Sequence, residues 1–323
     1  MAETRQNDRY LPGVELPRDL RVRSLRAAGD DLERADLVFI GVPSKGIAEA
    51  LTELVELGLA PRAGVVSLAK GLVPPEGTPP AVALEVAFGA DRVACVGGPA
   101  HAREMVEAGA GLVCASRSEV LAHEVADAFQ RGGVVCEVSD DPVGVELAGV
   151  AKNAAAVAVG ATQAQGLNAA GMAAADIFLE VLSLAETSGG QARTFVGRAG
   201  TGDLVATALA PTSRNRTAGE LLAQGVPAAE IPVRVGQAVE ALETVRLLAQ
   251  SAERAGVEAP VVSALAHLIE GDLPLDEWVS MVRAKQPEPA RFGRRLRPPG
   301  WWSRLREWLR DRFARRRVES NEP

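Results

Sequence analysis

Aromatic residues are scarce in this chain of 323 residues: they make up 4% of it, with a single tyrosine. So few rings cannot build the stacking platforms that hold single-stranded nucleic acid. A basic excess is missing too, since 42 Asp and Glu outnumber 35 Lys and Arg and the formal net charge is -7. Nucleic-acid binding is therefore not expected. Cysteine is limited to Cys95, Cys114 and Cys136, too few for a disulfide framework. Each sits in a short apolar run, as buried strand thiols do in a reducing compartment. No run approaches the roughly 18 uninterrupted apolar residues of a membrane span. Residues 1–23 are polar and charged, without the apolar centre of a secretory signal. What is present, 47% hydrophobic and 24% charged, is the composition of a globular chain long enough for two domains, expected in the cytoplasm.

The first half alternates short apolar runs with helical patterns. Runs at Leu37–Val42, Val65–Ala69, Arg92–Val96, Leu112–Ala115 and Val134–Val138 read as strands. Helical spacing follows at Ile47, Ala50, Leu51 and Leu54, over Pro80–Phe88 and over Glu119–Gln130. This alternation predicts a Rossmann-like parallel sheet covered on both faces, over residues 1–142. From Val143 to about Ala284 the pattern is helical, which predicts an all-α domain over 143–286. Its expected helices are Gly144–Gln165, Ala169–Ser188, Thr217–Gln224, Gly236–Ala255 and Val261–Glu270. The third piece is a tail, 287–323. Between Arg291 and Arg317 it holds 11 Arg against Glu307 and Asp311, and three of the four tryptophans. Trp301, Leu305, Trp308, Leu309 and Phe313 share one helix face, so residues 300–317 suit an anionic membrane surface. The plainer reading is a helix that docks on its own protein or on a partner.

Ligands of an open parallel sheet bind outside the carboxyl ends of its strands. Here those ends carry Pro43–Ser44, Lys70–Gly71 and Gly97–Gly98–Pro99. Taken singly, such glycines make turns and such a lysine is a solvated strand end. The helical half adds Lys152–Asn153 inside an apolar helix, where a lysine must snorkel, pair with a carboxylate or face a cleft. Burial would lower its pKa, which suits proton exchange near neutrality. Asp203 follows Gly200–Thr201–Gly202 and is either a ligand contact or a helix N-cap. Thr212–Ser213–Arg214–Asn215–Arg216 precedes a helical pattern and offers hydroxyls, guanidinium and free N–H groups to a phosphate, or simply caps the helix.

Together these segments resemble the bacterial NAD(P)-dependent glycerol-3-phosphate dehydrogenases. The match runs from about residue 5 to 285 through Tyr10–Pro17, Val42–Ser44, Ala69–Leu72, Gly98–Ala102, Val150–Asn153, Ala199–Leu204, Ser213–Arg216 and Gly236–Glu240. The resemblance implies reduction of dihydroxyacetone phosphate, a small phosphorylated C3 substrate, to sn-glycerol 3-phosphate with NAD or NADP as cofactor, for phospholipid synthesis. It implies Lys152 as general acid/base at the substrate, Lys70 as a second lysine at substrate and cofactor, and Asp203 as the carboxylate that contacts the substrate and orients Lys152. It places Gly98, Thr207, Ser213, Arg214 and Asn215 at the substrate, and Ala102, Arg214 and Glu240 at the cofactor. A homodimer is a further expectation, through the long Ala-rich helix.

Three departures accompany the resemblance. No strand, Gly-x-Gly-x-x-Gly turn and helix precede Asp36. The sheet is therefore expected to lack a first βαβ unit of on the order of 40 residues, and the chain as written to be impaired in cofactor binding. Ala100 stands where a Ser or Thr often contacts substrate, and Asp176 where an Arg is usual. The alternatives are a related two-domain dehydrogenase of the 6-phosphogluconate or 2-hydroxyacid type, and a non-catalytic remnant acting through its basic tail. The Ser213–Arg214–Asn215 run and its spacing from Asp203 favour the glycerol phosphate enzyme over the first.

Overall fold

The computed structural model describes residues 1–210 and 213–285. Thr212 and the tail expected as an amphipathic helix lie outside the described residues. A two-stranded antiparallel pair, β1 (Gln6–Asn7) and β2 (Leu11–Glu15), comes first, followed by the short α1 (Gly29–Leu32). Then β3 (Leu37–Ile40), α2 (Ile47–Glu56), β4 (Gly64–Ser67), α3 (Pro80–Phe88), β5 (Val93–Gly97), α4 (Ala102–Ala108), β6 (Gly111–Ser116), α5 (Glu119–Arg131) and β7 (Val135–Ser139) build the layered half. The helices that follow are α6 (Pro142–Thr162), α7 (Leu167–Thr187), α8 (Ala192–Val196), α9 (Asp203–Leu209), α10 (Arg214–Ala223), α11 (Ile231–Val235), α12 (Glu240–Arg254), α13 (Pro260–Glu270) and α14 (Leu275–Ala284).

Five strands form one sheet in the order β3-β4-β5-β6-β7. β3/β4, β4/β5 and β6/β7 are parallel, as expected, but β5/β6 is antiparallel, a correction to the wholly parallel sheet. The reason lies in the connection. The seven residues of α4 span about 10 Å, less than the length of a five-residue strand, so the chain enters β6 at the end where it left β5. Cys95, Cys114 and Cys136 are buried on β5, β6 and β7, and burial pushes the Cys114 and Cys136 thiols up to about 12 and about 11. The sheet's edges are β3 and β7; Phe39 on β3 is 40% exposed and meets Phe129 edge to face.

Local chemistry starts and stops the helices where the sequence provides it. Pro at the first position opens α3, α6 and α13, where its missing N–H costs nothing. Ser118 and Asp141 accept N–H bonds from Leu121 and Gly144 as N-caps of α5 and α6. Gly271, left-handed at φ 85°, ends α13.

α6 is the central strut, buried along almost its whole length. It packs on β5 and α3 at one end and on α7, α10 and α12 along its flanks, in a hydrophobic core that runs from Leu32 to Val282, while a second, smaller core lies between the sheet and α5. α6 and α10 approach so closely that a Cβ at Gly160 would strike the Arg216 carbonyl and one at Gly219 the Val157 carbonyl. Two described helices, Pro142–Gln165 and Leu167–Thr187, are long and apolar enough to cross a membrane by length and mean hydropathy. The window in the first is 94% buried, the signature of a core helix; Asp176 and Glu180 interrupt the second.

Candidate active site

Four segments, none adjacent in sequence, place the candidate side chains. The loop after β4 carries Lys70, the middle of α6 carries Lys152, the first turn of α9 carries Asp203, and the start of α10 carries residues 213–215. Asp203 is aimed inward by a π-helical turn, Arg198–Gly202. Only glycine fits at 200 in that turn, because a Cβ would overlap the Phe195 backbone. Asp203 is thus 1% exposed although it begins a helix, and its role as a helix cap gives way to its role as an ion partner.

The two amines share that carboxylate. Lys70 Nζ lies 2.7 Å from Asp203 Oδ2, and Lys152 Nζ 3.4 Å from Oδ1. Lys70 Nζ also donates to the Gly98 carbonyl at 2.7 Å. Gly98 reaches this position at φ 100°, and a Cβ there would stand 2.6 Å from the Gly111 carbonyl, so no larger residue fits. Lys152 donates to Thr207 Oγ1 at 3.2 Å, and Thr207 donates to Asp203 Oδ1 at 3.4 Å. Lys152 does not snorkel: it is 8% exposed. Burial lowers its pKa to about 8, helped by the positive charge of Lys70 and opposed by Asp203. Buried Lys152 and Asp203 with half-buried Lys70 carry one more positive than negative charge, a setting for an anionic or electron-rich ligand.

The start of α10 is joined to this cluster through Asn153, which the sequence showed beside Lys152 without giving it a role of its own. Asn153 Nδ2 donates to the Lys70 carbonyl at 2.6 Å, and Asn215 Nδ2 donates to Asn153 Oδ1 at 2.8 Å. The available signal was its place beside Lys152, as a second polar residue in an apolar helix. Ser213 takes the plainer of its two expected roles, capping α10 by accepting from Arg216 N at 3.4 Å. Arg214 stands one residue into α10, exposed, and donates to Gln237 Oε1 at 3.0 Å and to the Ala238 carbonyl at 3.4 Å.

Glu240, at the start of α12, reaches across to the carboxyl end of β3. Its Oε1 accepts Ser44 N at 2.6 Å and also the Ser44 hydroxyl. Gly71 lies against both: a Cβ there would be 2.8 Å from Glu240 Oε1 and 2.5 Å from Ser44 Oγ. Ser44, Gly71, Glu240 and Arg214 thus form a polar rim beside the amines, with a backbone cradle that a side chain would fill. That donor and acceptor set fits the hydroxyl-rich nicotinamide riboside end of a dinucleotide. The Gly-x-Gly-x-x-Gly turn that takes a pyrophosphate is not among the 323 residues. Ala102 is the first residue of α4, four positions beyond Gly98. Among the described residues, Lys70, Lys152, Asp203, Thr207 and Gly98 form one constellation. Asn215 is tied to it through Asn153, and Arg214 and Glu240 stand on its flank.

The profile described as the NAD-dependent glycerol-3-phosphate dehydrogenase N-terminus matches residues 1–122, and that of the C-terminus matches residues 141–280. A glycerol-3-phosphate dehydrogenase, NAD(P)+, of Deinococcus radiodurans is 39% identical over 294 residues, covering 88% of this chain and 84% of that one. One from Frankia casuarinae is 35% identical over 301 residues, covering 91% and 88%. The crystal structure of glycerol-3-phosphate dehydrogenase from Coxiella burnetii superposes with a TM-score of 0.81 at 27% identity, over 88% of this chain and 87% of the other. With its sheet, its helical half and relatives of this similarity along most of its length, the chain belongs to the NAD-dependent glycerol-3-phosphate dehydrogenase family.

Proposed function

We propose that the protein interconverts dihydroxyacetone phosphate and sn-glycerol 3-phosphate with NAD or NADP, and that Lys152 exchanges the proton at the C2 oxygen. The observation that carries this reading is the pair of amines bound to opposite oxygens of one buried carboxylate. When bound, the nicotinamide supplies or accepts the hydride. Reduction of the ketone builds negative charge on the C2 oxygen, and two ammonium groups stabilise it. Lys152, with a pKa of about 8, gives up a proton far more readily than an ordinary lysine and takes it back in the reverse direction. Asp203 and Thr207 hold its Nζ in place. Lys70, bound to Asp203 and the Gly98 carbonyl, stays an electrostatic partner at the substrate.

The phosphate is assigned to the start of α10, where Arg214 offers a bidentate cation and Asn215 an amide, beside the free N–H groups of the first turn. Ser213, at the cap, bounds the same subsite. Gly98 and Thr207 complete the substrate side, and Lys70, Ala102, Arg214 and Glu240, with Ser44, are assigned to the cofactor side. The reading includes a division into a dinucleotide-binding domain, 1–142, a helical substrate domain, 143–286, and a basic tail, 287–323. It also includes a cytoplasmic location, a homodimer, and contact of residues 300–317 with an anionic membrane surface, supported by the Arg and Trp content of that stretch. Liposome co-sedimentation with and without 287–323 tests that contact, and equal pelleting ends it.

The function is tested by following oxidation of NADH or NADPH with dihydroxyacetone phosphate, for the wild type and Lys152→Ala. With cofactor in large excess, to offset the missing Gly-x-Gly-x-x-Gly turn, turnover in the wild type and its loss in the folded variant are expected. Equal turnover in both would remove Lys152 from the chemistry.

A further inference from the structure

Glu146 lies on α6 six residues before Lys152, is buried, and takes no part in the steps above. Its carboxylate holds the start of α3 and faces the end of β4. Both oxygens accept Ala81 N, at 3.0 and 2.9 Å, in the first turn of α3. Ser67, the last residue of β4, is its other polar neighbour, and the Ser67 hydroxyl acts to lower the Glu146 pKa. Ser67 and Ala81 are the two ends of a single connecting segment, 68–80, and Lys70 lies within it. α6 meets that segment at two more places. A Cβ on Gly149 would touch Lys70 Cγ and Cβ at 3.7 and 3.8 Å, and Asn153 binds the Lys70 carbonyl. Positions 146, 149 and 153 share one helix face, so the segment lies along α6 as along a rail.

We propose that Glu146 is a positioning residue: it closes the 68–80 segment into a loop of fixed shape and so holds the Lys70 amine on Asp203 beside Lys152. Loss of either end of the grip frees backbone on the Lys70 side while the helices behind it stay packed. Burial, with Glu85 of α3 adding to it, pushes the Glu146 pKa up to about 8, and Cys95 of β5 is a further titratable neighbour. A protonated carboxyl still accepts from Ala81 N, so Glu146→Gln imitates it, whereas Glu146→Ala removes the grip.

Two readouts need no turnover: amide hydrogen exchange followed by mass spectrometry, and titration of the Lys152 side chain by NMR. In Glu146→Ala, exchange across 68–80 is expected to rise about tenfold or more, with α7 and α13 unchanged. The Lys152 midpoint is expected to move up from about 8, because the Lys70 charge has drifted away and Asp203 is left to Lys152 alone. Glu146→Gln is expected to stay near wild type in both. Ser67→Ala, which cuts one end only, is expected to raise exchange at the start of the segment, and it decides the matter if Glu146→Ala does not fold. A folded Glu146→Ala with unchanged exchange and an unmoved Lys152 titration overturns the proposal, as does a Ser67→Ala protein indistinguishable from wild type when the alanine variant is unfolded. The link to turnover rests on the dehydrogenase reading. If that reading fails, the wild type lacks activity while the exchange differences persist; if this one fails, Glu146→Ala keeps wild-type exchange and activity.

Discussion

Replacing Asp203 by Asn keeps the shape of the side chain and removes the charge that two amines share. Lys152 Nζ is 3.4 Å from Oδ1. At an effective dielectric constant near 20, Coulomb's law gives about 5 kcal/mol for such a pair. Relaxation and water reaching in along Lys70, whose side chain is 24% exposed, reduce this by roughly half, which leaves about two pKa units. The Lys152 amine, at about 8 in the wild type, is then expected near 6, because burial and Lys70 both act against its charge without opposition. Ketone reduction needs this amine protonated, so kcat falls as pH rises through its pKa. The assay is kcat for reduction across pH at saturating substrate, for the wild type and Asp203→Asn. The alkaline limb is expected to shift from about 8 to about 6. A limb that stays put, or moves up, refutes the assignment of Asp203 as the charge that sustains Lys152.

In the oxidation direction Lys152 must be neutral, so the wild-type rate is expected to rise through about pH 8, the mirror of the reductive profile. Lys152→Met is expected to lower turnover by about 10²–10⁴-fold while raising the melting temperature at pH 7. The stability gain has a defined window: a lysine whose folded pKa lies below 10.5 costs stability fully below about pH 8, and the cost fades between those values, so calorimetry at pH 10 is expected to show a smaller difference. Arg214→Ala is expected to raise KM for the phosphorylated substrate by about 10²-fold through loss of a charge-assisted contact, with little change in melting temperature because that side chain is exposed. Gly219→Ala, whose Cβ would overlap the Val157 carbonyl, is expected to push α10 off α6, cost about 1–3 kcal/mol in denaturant unfolding and weaken glycerol phosphate binding by displacing Arg214 and Asn215.

The sequence announces the layers of this fold because each strand is an uninterrupted apolar run and each long helix has its own periodicity. Pro80–Phe88 is bounded in the structure where the pattern places it, and α5 extends one residue further. The direction of β6 was not legible, since periodicity does not encode which end of a strand a short helix returns the chain to. Lys152 stood out because a lysine amid Val and Ala needs a partner, and Asp203 because glycines crowd before it. Glu240 on Ser44 was hidden behind a separation of 196 residues. Glu146 and Glu180 were hidden for a related reason. Each is a carboxylate in an apolar helix that accepts from the start of another one, Glu146 from a single N–H of α3 and Glu180 from two of α13. Nothing in the spacing around either residue points to the helix it caps. The same holds for Gly160 and Gly219, which read as ordinary weak points in a helix and turn out to be where two backbones touch.

The assignment of chemistry to one crevice is tested most directly by a crystal structure of the protein with sn-glycerol 3-phosphate. The account predicts the C2 oxygen within hydrogen-bond reach of Lys152 Nζ, about 3 Å, with the phosphate on Arg214 and the first turn of α10. A well-ordered ligand bound away from both amines of Lys70 and Lys152, or with its phosphate remote from α10, contradicts it.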